Sequence, residues 1–127
     1  MSMKVAIFED DNDVAQIISE MLEIKDYKVT SYYNFKDSGW QKSDIVLGDF
    51  RNRLVQFEQL KQECKKHGIP LIAISGMETT FRPQLLKPFS PEELQGLILE
   101  TLIKNGKSVN KEDKDDVGFF SFFKKNG

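Results

Sequence analysis

Val5-Ala6-Ile7-Phe8-Glu9-Asp10-Asp11 (residues 5–11) is a short apolar run that ends in three consecutive acids. Ile45-Val46-Leu47-Gly48-Asp49 (residues 45–49) makes the same change from apolar to acidic. Apolar runs of this length, bounded by polar residues, read as buried parallel strands. In an open α/β sheet, ligands bind outside the strand ends, where these acids fall. Carboxylates gathered there repel one another unless a cation or a proton intervenes. A divalent metal answers that repulsion. A metal held by carboxylates beside a further Asp points to phosphoryl chemistry.

The rest of the chain alternates strand and helix. Residues 4–8 form the first strand. Val14, Ile17, Ile18, Met21 and Leu22 then line one face of a helix, which Asp11 or Asn12 can cap. Val29 to Tyr33 reads as a second strand. Asn34 to Ser43, with Gly39 near its middle, has room for a helix of two or three turns at most. Trp40, Tyr32 and Tyr33 are expected to pack this short crossover. Residues 44–48 form the third strand. Leu54, Phe57, Leu60 and Cys64 stripe the next helix, which closes with Lys65, Lys66 and His67 against its dipole and then Gly68. Leu71-Ile72-Ala73-Ile74 is the fourth strand. The last helix opens on Ser90 as N-cap, with Pro91 at N1 and Glu93 completing a capping box. Leu94, Leu97, Ile98 and Leu102 supply its buried face. This order predicts a doubly wound parallel sheet.

Bulk properties set the class. The 127 residues suit one domain, and folding at this length buries roughly two-thirds of the surface. The net charge of -2 gives no sequence-independent attraction to nucleic acid. Cys64 is the single cysteine, so no intramolecular disulfide forms and a reducing compartment is the default. No signal peptide and no bilayer-length apolar run is evident, so the expectation is a soluble, cytoplasmic protein that binds neither membrane nor nucleic acid. Cys64 and His67 lie three apart, but no second Cys or His pair completes a metal site. Arg51, Arg53 and Arg82 could form a small anion site near the acids, with solvated arginines the plainer reading.

Glu9-Asp10 after the first strand, Asp49 after the third, Ser75-Gly76 after the fourth and Lys87-Pro88 before the last helix resemble a response regulator receiver domain (CheY-like). The resemblance covers about residues 3–104 and implies a flavodoxin-like sheet of five parallel strands. It implies that Asp49 accepts a phosphoryl group from a histidine kinase or phosphotransfer protein. Glu9, Asp10 and Asp49, with the backbone carbonyl of Arg51, would bind Mg²⁺ directly or through water. Lys87 would pair with the phosphoryl group, the Ser75 hydroxyl would hydrogen-bond one of its oxygens, and Gly76 would leave the donor a way in. The expected function is that of a single-domain response regulator, a signalling module rather than an enzyme, acting on a downstream protein target. A second copy of the chain is a further candidate partner. The alternative is a pseudo-receiver that serves as a constitutive protein-binding or assembly module. A metal-dependent phosphatase is a third reading, disfavoured because the short chain has no cap domain for substrate selection.

The chain also departs from that pattern. Phe50-Arg51-Asn52-Arg53 stands where the family carries a Pro-Gly turn. Gln84 stands near the place of the family's switch aromatic, with Phe81 as a substitute. Only eleven residues separate Ser75 from Lys87, where the family fits a fourth helix and a fifth strand. A helix needs roughly ten residues to recross the sheet, whereas an extended segment needs about six. The fourth helix is therefore expected to be absent or reduced to one turn, with 76–82 mostly extended and a short edge strand over 83–86. Beyond the receiver at 1–104, residues 105–127 read as a polar linker and a Phe-rich C-terminal tail. Phe119, Phe120, Phe122 and Phe123 are expected to dock on the gap, so that deleting 110–127 lowers the melting temperature. The rival reading of the tail is a partner-binding motif that is loose in the free protein.

Overall fold

A computed structural model describes residues 3–37 and 39–106. Strand β1 (Lys4–Phe8) is followed by α1 (Asn12–Glu23), β2 (Lys28–Tyr32), a three-residue 3₁₀ helix (Trp40–Lys42) and β3 (Ile45–Asp49). Then come α2 (Phe57–His67), β4 (Leu71–Ser75), β5 (Gln84–Leu86) and α3 (Pro91–Lys104). All four strand pairings are parallel, in the order β2-β1-β3-β4-β5. The flavodoxin-like, doubly wound sheet of five strands is thus observed.

Each sheet face has its own core. Val5, Ile7, Ile45, Leu47, Ile72 and Ile74 face α1 and α3, which supply Ile18, Leu22, Leu94, Ile98 and Leu102. Ala6, Phe8, Val46 and Ala73 face the other way, toward Trp40, Phe57, Leu60 and Cys64. Asp11 caps α1, its Oδ1 accepting from the N–H groups of Asp13 and Val14. The capping box of α3 forms as expected, with Ser90 and Glu93 bonding reciprocally. Gly68 ends α2 with φ of 67°, a left-handed conformation that suits glycine.

The second face is where the fold departs from ordinary α/β layering. A 3₁₀ turn stands at the second crossover, and 76–83 holds only irregular chain with bends at 76–77 and 80–83, so the fourth helix is absent among the described residues. Aromatic side chains cover the sheet instead. Trp40 meets Phe8 edge-on at 5.8 Å and His67 at 5.4 Å, while Tyr32 stacks on Phe8 at 5.8 Å. Beside the crossover from β4 to β5, Phe57 packs on Phe50 at 4.9 Å and on Phe81 at 5.1 Å. Each aromatic ring buries roughly 150–250 Å², so a few of them stand in for a helix face.

Several expectations need correction. The 76–83 crossover is irregular and bent rather than an extended run, because side chains staple it. Gln84 Oε1 accepts from Thr79 N and Oγ1 at 2.9 and 2.8 Å, and Arg82 donates to the carbonyls of Thr79 and Phe81. Leu54 precedes α2 and is 59% exposed, so it lies outside the helical stripe. Tyr33 is exposed and donates its hydroxyl to Asn12 Oδ1 at 2.9 Å rather than packing the crossover. The Phe119–Phe123 tail and its docking lie outside the described residues.

Gly48 marks the tightest approach of helix to sheet. A Cβ there would sit 2.5 Å from Leu60 Cδ2 and 3.3 Å from Leu71 Cδ1. Leu60 is fully buried and has little room to yield. Gly48→Ala is expected to destabilise the fold by about 1–3 kcal/mol. Urea denaturation would check this, and an unchanged midpoint would show that α2 lifts off freely.

Candidate functional site

The C-terminal ends of β1, β3 and β4 gather the acids and the hydroxyl, and β5 brings the lysine. Phe50 N donates to Ile74 O at 2.8 Å, and Lys87 N donates to Ser75 O at 2.8 Å. These two bonds carry the ladder just past the strand ends and hold Asp49, Ser75 and Lys87 side by side. Ser75, like Asp49, is buried, and its Oγ accepts from Met77 N at 3.1 Å. The Ser75 O–H therefore keeps its donor for another partner.

Glu9, Asp10 and Asp49 each turn one oxygen inward, and these oxygens lie within 4.8 Å of one another. Lys87 Nζ reaches Glu9 Oε1 at 3.0 Å and Asp49 Oδ1 at 3.5 Å. Arg53 Nε reaches Asp10 Oδ2 at 2.8 Å. Three carboxylates thus meet two cations, which leaves the cluster negative. Burial raises the Glu9 carboxyl above its ordinary value, against the opposing pull of the Asp11 N–H and Lys87. The Arg53 hydrogen bond holds Asp10 below its ordinary value. Burial pulls Lys87 down, but its Glu9 hydrogen bond and the nearby carboxylate charges outweigh this and leave it raised.

The donor set fits a hard divalent cation. Three carboxylate oxygens match the all-oxygen coordination of Mg²⁺, with water completing the shell. To hold one ion together the three carboxylates would draw closer or bond it through water. Asp11 is committed to capping α1 and is not one of the clustered acids.

The loop after β3 shows how the missing Pro-Gly turn is made good. Asn52 Oδ1 accepts from the N–H groups of Leu54 and Val55 at 2.7 and 3.0 Å, an Asx-type turn. Arg53 rides on this turn, which places it over Asp10. The three loop arginines diverge: Arg53 takes Asp10, Arg51 turns to Met77 Sδ, and Arg82 braces the β4–β5 crossover against Glu78. They make no common anion site. A Cβ at Gly76 would meet no atom within 4 Å, so packing does not demand glycine there. Burial pushes the Cys64 thiol up to about 12, which keeps it protonated and inert at neutral pH.

No protein-family model matches the sequence, and no curated protein matches it either. Solved structures do. A CheY-like response regulator receiver domain from Methanospirillum hungatei JF-1 superposes with a TM-score of 0.70 at 20% identity, over 84% of this chain and 98% of its own. The chain has a receiver-domain fold. A Francisella response regulator receiver domain, 1452, gives a TM-score of 0.66 at 24% identity, over 84% of this chain and all of its own. The receiver domain of the sensor histidine kinase PA1611 from Pseudomonas aeruginosa PAO1 gives 0.67 at 20% identity, over 80% of this chain and 98% of its own. That last structure holds a magnesium ion in its active-site cleft.

Within this receiver fold Glu9, Asp10, Asp49 and Lys87 converge, and Ser75 stands at the neighbouring strand end. Arg51 lies in the turn after Asp49, its side chain directed to Met77. Sequence reasoning missed the Arg53–Asp10 pair, because nothing local in the sequence ties positions 43 residues apart. It also missed the stapling role of Gln84. Among the described residues no helix is long and apolar enough to cross a membrane.

Proposed function

We propose that this chain is a phosphoacceptor receiver that takes a phosphoryl group on Asp49 from a histidine kinase or phosphotransfer protein and signals by protein–protein interaction. The observation that carries the reading is Lys87 bridging Glu9 and Asp49 at the mouth of a three-carboxylate cluster. An Asp49 oxygen attacks phosphorus on the donor imidazole. The new P–O bond forms as the P–N bond breaks, and the imidazole leaves with the electron pair. Glu9, Asp10 and Asp49, with the Arg51 carbonyl, would hold Mg²⁺, which would supply positive charge to neutralise the transferring oxygens. Lys87 moves its charge onto the phosphoryl oxygens, and the Ser75 O–H donates to one of them. The added charge then shifts a two-state equilibrium of the loops around the site.

A second reading, a constitutive pseudo-receiver, has its own support. Gln84 is tied to Thr79, Phe81 is packed on Phe57, and no fourth helix is present to move. Intact-mass spectrometry after incubation with acetyl phosphate and Mg²⁺ separates the two. A phosphoryl adduct on the wild type, absent with chelator and absent in Asp49→Asn, supports the phosphoacceptor. A folded wild type that gains no adduct leaves the pseudo-receiver.

A further inference from the structure

Arg53 is unusual among the charges of the site. Its partner Asp10 is nearly buried, yet Arg53 itself is 86% exposed and hangs from a loop. Its side chain contacts the acids through one bond, Nε to Asp10 Oδ2 at 2.8 Å, while its backbone N–H also faces the Asp10 carboxyl. Lys87, by contrast, is wedged between two carboxylates and is 30% exposed.

A dication bound to that Asp10 oxygen would sit about 2.1 Å from it. Arg53 Nε lies 2.8 Å from the same oxygen. The two positive centres would then be within about 5 Å whatever the angle between them. Like charges at that range repel in any dielectric. The exposed guanidinium has solvent to move into, while among the described residues the metal has no other carboxylate set. From this geometry we infer that Arg53 is a built-in competitor for Asp10, which must swing away when a divalent cation binds and so sets the metal concentration at which the site fills. The inference rests on the metal-binding part of the phosphoacceptor reading.

Isothermal titration of the full chain with Mg²⁺ at low ionic strength tests it, using wild type, Arg53→Gln and Arg53→Lys. Circular dichroism confirms that each variant is folded. Removing an exposed ion pair and its charge is expected to tighten binding roughly two- to tenfold in Arg53→Gln. Arg53→Lys keeps the charge but loses the planar Nε contact, so it is expected to fall between the other two. Equal affinity in wild type and Arg53→Gln overturns the inference and leaves the metal site standing. Weaker binding in Arg53→Gln overturns it too, because Arg53 would then be orienting Asp10 for the metal. Arg53→Lys matching wild type while Arg53→Gln tightens overturns the direct pairing in favour of background charge. Absence of binding in all three chains overturns the metal reading itself, and the inference with it.

Discussion

Replacing Trp40 with alanine is expected to cost about 3–5 kcal/mol, at the upper end for a core aromatic. The reason is the thin cover on the second face. Trp40 is fully buried, meets Phe8 and His67 edge-on, tilts against Phe35 and donates its indole N–H to Phe35 O at 3.3 Å. Among the described residues no full helix lies over β1 and β2 there, so none of their rigid elements settles into the space a deletion leaves. Domains of this size are stable by only about 5–15 kcal/mol, so the loss takes a large share of the total. The denaturation midpoint should fall sharply with the slope unchanged. Trp40 is the chain's single tryptophan, so the transition must be followed by circular dichroism. A loss below about 1 kcal/mol would show that the aromatic cluster is not what seals this face.

Replacing Lys87 with methionine is expected to leave a pH-dependent defect. The substitution removes the cation beside Glu9, which is 3% exposed and faces Asp49. The cost at neutral pH is about 1–3 kcal/mol, because Lys87 is itself partly solvated and the pair is screened. The sign follows from linkage. Burial already raises the folded-state Glu9 carboxyl above its value of 4.5, so its contribution is fully present below 4.5 and is lost as pH rises through the folded value. Without Lys87 that folded value climbs further, and the variant loses more than wild type as pH rises above 4.5. The gap between the two proteins should therefore widen from mildly acidic to neutral pH. Asp10 behaves in the opposite sense: held low by Arg53, it stabilises above 3.8 and that contribution fades as pH falls through its folded value. Denaturation midpoints from pH 4.5 to 8, with and without Mg²⁺, check the Glu9 part, and an extension below pH 3.8 checks the Asp10 part. A gap independent of pH would show that Glu9 is not the group left unpaired. Mg²⁺ is expected to narrow the gap by supplying the missing positive charge.

Much of this protein was legible in the chain before its structure. Four-residue apolar runs bounded by polar residues read as buried strands, and the acids after Phe8 and Gly48 fall at the end of such runs. Local chemistry also settled the start of α3, because Ser90, Pro91 and Glu93 satisfy backbone groups within one turn of themselves. Chain arithmetic between Ser75 and Lys87 left room for at most one turn of a fourth helix, since too few residues remain to build more and return to the sheet. The boundaries were less secure: β2 begins one residue earlier than Val29, and the stripe of α2 does not include Leu54.

What sequence by itself determined, then, was the alternation of elements and the acids at the strand ends, since these follow from periodicity, capping and spacing along one chain, while Lys87 and Ser75 were expected from the resemblance to receiver domains. Tertiary structure alone decided the rest. Gly48 matters because Leu60 comes down on it, Phe81 is committed because Phe57 lies beneath it, and Arg53 meets Asp10 because an Asx turn swings it across the cleft. Such contacts depend on how close two distant segments come and at what angle. Distance and angle are set by the packing of the whole fold and leave no periodic trace in the residues that make the contact.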